Sequence, residues 1–219
     1  MNKILIKCLS VFLIFKEVKM KTIKFALPIT VIFFLFISVL SRCVAAEDIK
    51  GEKTMLPQGT KKILVAYFSH SGNTREIANQ IHAIVGGDIF EIQSAKPYPD
   101  DYHAVVKQAR EELASGYKPV LKTKVENIKA YDLVFIGYPN WCSTVPAPVK
   151  TFLLEYDFSG KTIAPFCTHG GGGMGRSVTD IAKLCPKSTL LDSFSILGSD
   201  VKTAQSEVSK WLKKIKITK

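Results

Sequence analysis

Apolar and polar positions follow two periods along this chain. Short, largely apolar runs at 63–68, 88–93, 133–138, 162–167 and 190–196, each bounded by polar or turn-forming residues, predict five strands. Residues 74–85, 102–115, 147–156, 175–184 and 203–215 carry helical spacing and fall between and after those runs. Ile63-Leu64-Val65 and Val134-Phe135-Ile136 are continuously apolar rather than alternating, as parallel strands covered on both faces require. The expected class is α/β: a doubly wound, five-stranded parallel sheet. Residues 94–131 depart from strict alternation. Their helix is flanked by Lys96-Pro97-Tyr98-Pro99-Asp100-Asp101 and by a long extended stretch, and Tyr98 and Tyr102 are its candidate ring contacts. No internal repeat or low-complexity tract interrupts the pattern.

The beginning of the chain has another pattern. Lys19, Lys21 and Lys24 precede the apolar run 25–40, and Val44-Ala45-Ala46 places small residues where a signal peptidase cuts. Residues 1–46 are therefore expected to be a secretory signal, with Met20 as the better start because 20–46 form a complete signal unaided. The protein is expected to be exported, periplasmic or extracellular. Two rival readings are weaker: Leu40-Ser41-Arg42-Cys43 resembles a lipoprotein signal, but Arg42 stands where a small residue belongs. An uncleaved anchor would have only the 16 residues of 25–40, where a spanning helix needs about 20. Residues 47–60 read as a polar linker, and 61–219 as the folded domain.

Setting the signal aside changes the charge. The full chain carries 30 Lys and Arg against 19 Asp and Glu; the first 46 residues hold seven of the former and one of the latter, leaving 23 against 18, or +5. The residual excess is spread out, with a tail cluster at Lys210, Lys213, Lys214, Lys216 and Lys219. Without aromatic interleaving or a recognition motif it reads as a solvated helix face, so no nucleic acid is expected, although an acidic partner fits. Cys142, Cys167 and Cys185 remain after processing, an odd number with no metal-ligand spacing to a histidine, so no metal site is expected. Cys142 reads either as a redox thiol, alone or bonded to Cys167, or as a merely tolerated thiol.

The chemistry gathers in three loops. Ser69-His70-Ser71-Gly72-Asn73-Thr74 lies between the first strand and its helix, where unpaired N–H groups and the macrodipole make an anion site. Its donors are neutral hydroxyls and amides, which suit a phosphate monoester. Neither the triphosphate-binding Gly-x-x-x-x-Gly-Lys-Ser/Thr pattern nor the dinucleotide fingerprint Gly-x-Gly-x-x-Gly is present. The bland alternative is an ordinary helix cap by Ser71 or Asn73. Pro139-Asn140-Trp141-Cys142-Ser143 offers an indole beside backbone amides, able to stack on a planar heterocycle. Thr168-His169-Gly170-Gly171 and the glycines after it present bare backbone to a flat group. Phosphate at one end and a flat ring at the other describe flavin mononucleotide (FMN), and all three loops follow strands, at the edge where open α/β sheets bind ligands.

These residues carry a family resemblance. The chain resembles the flavodoxin-like proteins, and among them a bacterial group with a Tyr-Pro-x-Trp second loop and a Pro-Phe-Cys-Thr-x-Gly-Gly third loop, here Tyr138-Pro139-Asn140-Trp141 and Pro165-Phe166-Cys167-Thr168-His169-Gly170-Gly171. The likeness extends from Lys61 to the C-terminus. It implies strand order 2-1-3-4-5, FMN as cofactor and one- or two-electron chemistry at the ring. It also implies that Ser69, Ser71, Gly72, Asn73 and Thr74 hold the phosphate, that Asn140, Trp141, Cys142 and Ser143 line the ring, and that Thr168, Gly170 and Gly171 lie on its other side. His70 and His169 lie on the same loops, as hydrogen-bonding side chains or as proton donors. The sequence departs from the group at Cys142 and Ser143, where a second Trp and a Gly usually follow Trp141.

No catalytic triad or carboxylate pair competes, and a flavin needs none, because the cofactor carries the reaction. The expectation is an exported FMN protein that transfers electrons to a partner protein or reduces a small quinone-type acceptor, with NAD(P)H as a candidate donor. The alternative is a non-redox binding module for another phosphorylated ligand, favoured by the substitutions at 142 and 143 and by the difficulty of exporting a cofactor with an unfolded chain.

Overall fold

The computed structural model describes residues 61–218. The signal segment with Cys43, and the linker 47–60, lie outside the described residues.

The first strand, β1 (Ile63–Tyr67), is followed by α1 (Asn73–Val85), β2 (Asp88–Glu91) and α2 (Tyr102–Ser115). Then come β3 (Leu133–Pro139), α3 (Ala147–Glu155), β4 (Thr162–His169) and α4 (Ser177–Leu184). Two short strands, β5 (Thr189–Leu190) and β6 (Phe194–Leu197), and the helix α5 (Gln205–Lys214) complete the chain. All pairings are parallel, and the order is β2-β1-β3-β4-β5, with β6 also on β4. This is the doubly wound 2-1-3-4-5 sheet of flavodoxin-like proteins. The chain moves to one side of β1 for β2 and to the other for β3, which opens a crevice above the C-terminal ends of β1 and β3.

The expected fifth strand is one strand in two pieces. Ile163 pairs with Leu190 but Phe166 pairs with Phe194, so one extra residue is accommodated between the two segments. Pro165 supplies the reason. Backbone groups of Ile163 and His169 face β5 and β6, accepting from Leu191 and Gly198. The alternation puts Pro165 on the same side, where it has no N–H to donate. The unpaired bulge is used elsewhere, since the carbonyl of Asp192 accepts from the indole N–H of Trp211 at 2.8 Å.

Alternation within the buried strands divides the core. Leu64, Ala66, Val134, Ile136, Tyr138 and Ile163 face Val149, Phe152, Leu153 and Ile181 of α3 and α4. Val65, Phe135, Ala164 and Phe166 face Ile77, Ala78 and Ile81 of α1 and Val208, Trp211 and Leu212 of α5. Gly137, inside β3, is required by this packing, because a Cβ there would fall 2.1 Å from Cζ of Phe166. The helix α2 is capped by Asp101, whose carboxylate accepts from Ala104 N–H at 2.8 Å, and ends at Gly116 with φ 65°. The extended stretch after it returns to the sheet, where Ser94 and Leu121 form an antiparallel bridge. Lys161, buried beneath the sheet, donates its ammonium to the carbonyls of Tyr131 at 2.6 Å and Lys129 at 3.3 Å. Among the described residues no helix is long and apolar enough to cross a membrane, and no cluster of ligating side chains can hold a metal.

Candidate functional site

The loop after β1 turns on Gly72. Its φ of 92° is left-handed, its N–H donates to Ser69 Oγ at 3.2 Å, and its carbonyl accepts the first intrahelical bond, from Glu76. Gly72 therefore occupies the capping position, and no side chain caps α1. The expected alternative of a cap by Ser71 or Asn73 does not occur. The N–H groups of Asn73, Thr74 and Arg75 donate to no protein acceptor among the described residues, so the positive end of a 13-residue helix stays open. Arg75 does not supply a charge there, because its guanidinium pairs with Glu91 at 2.5 Å. Thr74 is buried and its hydroxyl lies 2.9 Å from that of Thr168, tying the first loop to the third. One of the two hydroxyls donates to the other, leaving one hydrogen free.

The second loop is a tight turn. Trp141 and Thr144 exchange backbone hydrogen bonds of 3.2 and 3.0 Å, with Cys142 at φ 52° and Ser143 at φ 63° between them. Two left-handed central residues make a type I′ turn, a conformation that favours Asn and Gly. The surroundings hold it in place. Ser143 O accepts from Arg176 N–H at 2.8 Å, Thr144 donates to Asp180, and a Cβ at Gly175 would fall 2.4 Å from Ser143 O. Asn140 donates its backbone N–H to Thr168 O at 2.8 Å and its side-chain amide to Gly173 O at 2.6 Å. Its Oδ1 is a buried acceptor with no partner. Trp141 sits in an aromatic cluster, with ring centroids 4.9 Å from Tyr98, 5.5 Å from Phe68 and 5.8 Å from His70.

In the third loop the Gly171 N–H donates to Nδ1 of His169 at 3.0 Å, so the ring proton of neutral His169 resides on Nε2. His70 has its Nε2 2.9 Å from Pro99 O, which can only accept, so that nitrogen carries hydrogen. A Cβ at Gly170 or Gly171 would meet nothing within 4 Å. Cys142, Cys167 and Cys185 are free thiols. Burial pushes Cys167 up to about 12, and no disulfide joins it to Cys142.

A cleft of about 1110 Å³ lies between the loops. His70, Ser71, Asn73, Pro139, Asn140, Trp141, Cys142, Ser143, Thr168, His169 and Gly170 line it; of the other expected site residues, Ser69, Gly72 and Thr74 support the walls from behind, and Gly171 sits beside them. Tyr102 lines the cleft, whereas Tyr98 acts from behind Trp141. Sequence reasoning missed the rest of the wall: Asp100 and Val105, Val106, Ala109 and Arg110 of α2, and Leu197 at the end of β6 with Gly198 and Ser199 after it. The signal was available in the spacing of 102, 105, 106, 109 and 110, which share one helical face.

Comparison with known proteins gives these features a lineage. A candidate flavoprotein of Bacteroides eggerthii is 36% identical, with a TM-score of 0.62 over 71% of this chain and 98% of its own. One from Bacteroides uniformis is 31% identical, with a TM-score of 0.62 over 70% and 98%. A flavoprotein of Lactobacillus acidophilus, solved in complex with FMN, is 24% identical, with a TM-score of 0.55 over 69% of this chain and 98% of its own. Comparison with curated proteins found no match. A family model described as flavodoxin matches residues 62–215, more than half of the sequence, and the chain belongs to that family.

Proposed function

We infer that the cleft binds FMN and that the protein works as a redox flavoprotein. The observation that carries this reading is the open N-terminus of α1, a helix with no capping side chain, approached by neutral hydroxyls and with its nearest arginine turned away to Glu91. That is a site for a phosphate monoester. The remaining lining fits the rest of the molecule. Asn140 lines the cleft beside Trp141, where the flavin's pyrimidine edge would lie. The space beside Gly170 and Gly171 admits a flat group against backbone, and Trp141 offers an aromatic neighbour. Ser69, Ser71, Gly72, Asn73 and Thr74 would hold the phosphate, and Asn140 through Ser143 with Thr168 to Gly171 would hold the ring.

When bound, FMN supplies one- or two-electron transfer. The chain's own residues bind and orient it and limit water around it. His169, with hydrogen on Nε2, is placed to act as a donor at the rim. We read the physiological reaction as electron transfer to a partner protein or reduction of a small quinone-type acceptor, with NAD(P)H a candidate donor. On the signal reading of residues 1–46 the protein is exported and takes up FMN after secretion.

The test is titration of FMN into the purified protein, followed by flavin fluorescence and visible absorption. Quenching with a 1:1 endpoint, and weaker binding of riboflavin, are expected. Steady oxidation of NADH or NADPH by the loaded protein would then identify a reductase, and its absence a carrier. FMN left free at micromolar protein would overturn the flavin reading in favour of a non-redox binding module. Sequencing the N-terminus of secreted protein tests cleavage after Ala46.

A further inference from the structure

The three ligand loops account for only part of the cleft. Its volume, about 1110 Å³, exceeds the roughly 300–1000 Å³ usual for a single ligand site. The wall missed by sequence reasoning belongs largely to α2, whose Tyr102, Val105, Val106, Ala109 and Arg110 recur at helical spacing on one face. Val105 and Ala109 are buried and Val106 half-buried, so the middle of this wall is apolar. Tyr102 is 74% exposed and Leu197 41%; both line the cleft, one from α2 and one from the end of β6, so large apolar side chains mark its mouth.

Charge at the two ends of the wall differs. The described residues contain three arginines. Arg75 is paired with Glu91 and Arg176 with Asp180, but Arg110 has no ion-pair or hydrogen-bond partner among the described residues. The carboxylate of Glu112, two residues on, does not compete, because its two oxygens accept from Tyr98 and Gln108. The other charged group of the lining, Asp100, precedes α2, whereas Arg110 lies about 12 Å along the helix from Tyr102 at 1.5 Å per residue. A guanidinium free of carboxylates, at the far end of an apolar wall from an aspartate, favours an oriented anion.

We propose that the α2 wall of the cleft is a second subsite that binds a planar, ring-bearing anion, with its rings against Tyr102, Val105 and Val106 and its carboxylate or sulfonate on Arg110. The inference rests on the FMN reading only for the consequence that such a molecule would be the small electron acceptor. The binding itself does not require that reading.

Anthraquinone-2-sulfonate and the neutral 2-(hydroxymethyl)anthraquinone serve as probes, each titrated calorimetrically into the purified full-length chain with and without FMN. The sulfonate is expected to bind at least about tenfold more tightly than the neutral probe, as one charge-assisted hydrogen-bonded pair provides. Arg110→Gln should abolish that preference while leaving the neutral probe unchanged, and Arg110→Lys should restore part of it. Arg110 is exposed and unpaired, so neither substitution threatens the fold. Equal affinity of the parent for both probes, or a preference that survives Arg110→Gln, overturns the proposal. An FMN titration on the same samples separates the two readings. If FMN fails to bind and the Arg110-dependent preference persists, the flavin reading fails alone and this subsite stands; if FMN binds and the preference is absent, the subsite fails alone.

Discussion

Tyr98 donates its hydroxyl to Glu112 Oε2 at 2.7 Å, and this bond fixes the ring that packs 4.9 Å from Trp141. Glu112 is buried, and its other oxygen accepts from Gln108 at 2.8 Å. Burial, and then the neighbouring carboxylate, push the Tyr98 phenol well above its ordinary range, so it remains a donor at any physiological pH. Tyr98→Phe keeps the ring and deletes the donor, leaving a buried carboxylate short of one bond. A loss of about 1–3 kcal/mol is expected for such an orphaned group. Urea unfolding measures it, and unchanged stability would show that the pair does not matter.

Gly72 and the N-terminus of α1 give a prediction that depends on backbone alone. A Cβ at Gly72 meets nothing within 4 Å, so Gly72→Ala introduces no clash. Its φ of 92° is nevertheless left-handed, and an L-residue there costs about 1–2 kcal/mol. The variant should therefore lose stability by that amount or shift the loop. A shifted loop moves the three free N–H groups, so FMN affinity should fall while riboflavin affinity changes less. Fluorescence titrations with both flavins check this; equal losses for the two would separate Gly72 from the phosphate.

The parts of the site that were legible in the sequence are those written in contiguous residues. Ser69 to Thr74 declare a strand-to-helix turn rich in donors, and the glycines after Thr168 declare open backbone, so both loops were found where the sheet ends. The α2 wall is not legible there, although helical spacing gives the limits of the helix itself, Tyr102–Ser115. Helical spacing identifies a face but not what that face covers; that depends on how the connection returns, through the Ser94–Leu121 bridge. The contact between Thr74 and Thr168 joins residues 94 positions apart and carries no local signal. The break in the fifth strand depends on which side of β4 the missing N–H of Pro165 faces, and that is fixed only by register.

Cys142 reverses the argument made for Gly72. It stands at φ 52° in the first central position of a type I′ turn, where glycine or asparagine is at ease and a thiol-bearing residue is strained. Cys142→Gly should relieve part of the roughly 1–2 kcal/mol cost of the left-handed conformation, offset by the greater freedom that glycine gives the unfolded chain. A net gain of a few tenths to about 1 kcal/mol is expected, read as a higher urea midpoint with unchanged slope. A lower midpoint would mean that the Cys142 side chain contributes more than its backbone costs.

The buried thiols set a pH dependence whose sign follows from linkage. Burial raises Cys167 to about 12 and Cys185 to about 11 from an ordinary 9.0, so the native state retains protons that the unfolded chain releases. Below pH 9 both states bind the thiol protons, and these groups give no slope. Between pH 9 and about 11 to 12 the unfolded state binds fewer protons, so stability must fall as pH rises through that window. The buried phenols of Tyr98 and Tyr138, also raised, act in the same direction starting about one unit higher. Urea midpoints at pH 8 and 10.5 should show the decline, and Cys185→Ser, which removes one titrating group, should make it shallower. Alkylation at pH 8 followed by peptide mapping supplies an independent check. Among the described cysteines, Cys142 at the cleft should be modified in the native protein, while Cys167 and Cys185 should react only after unfolding.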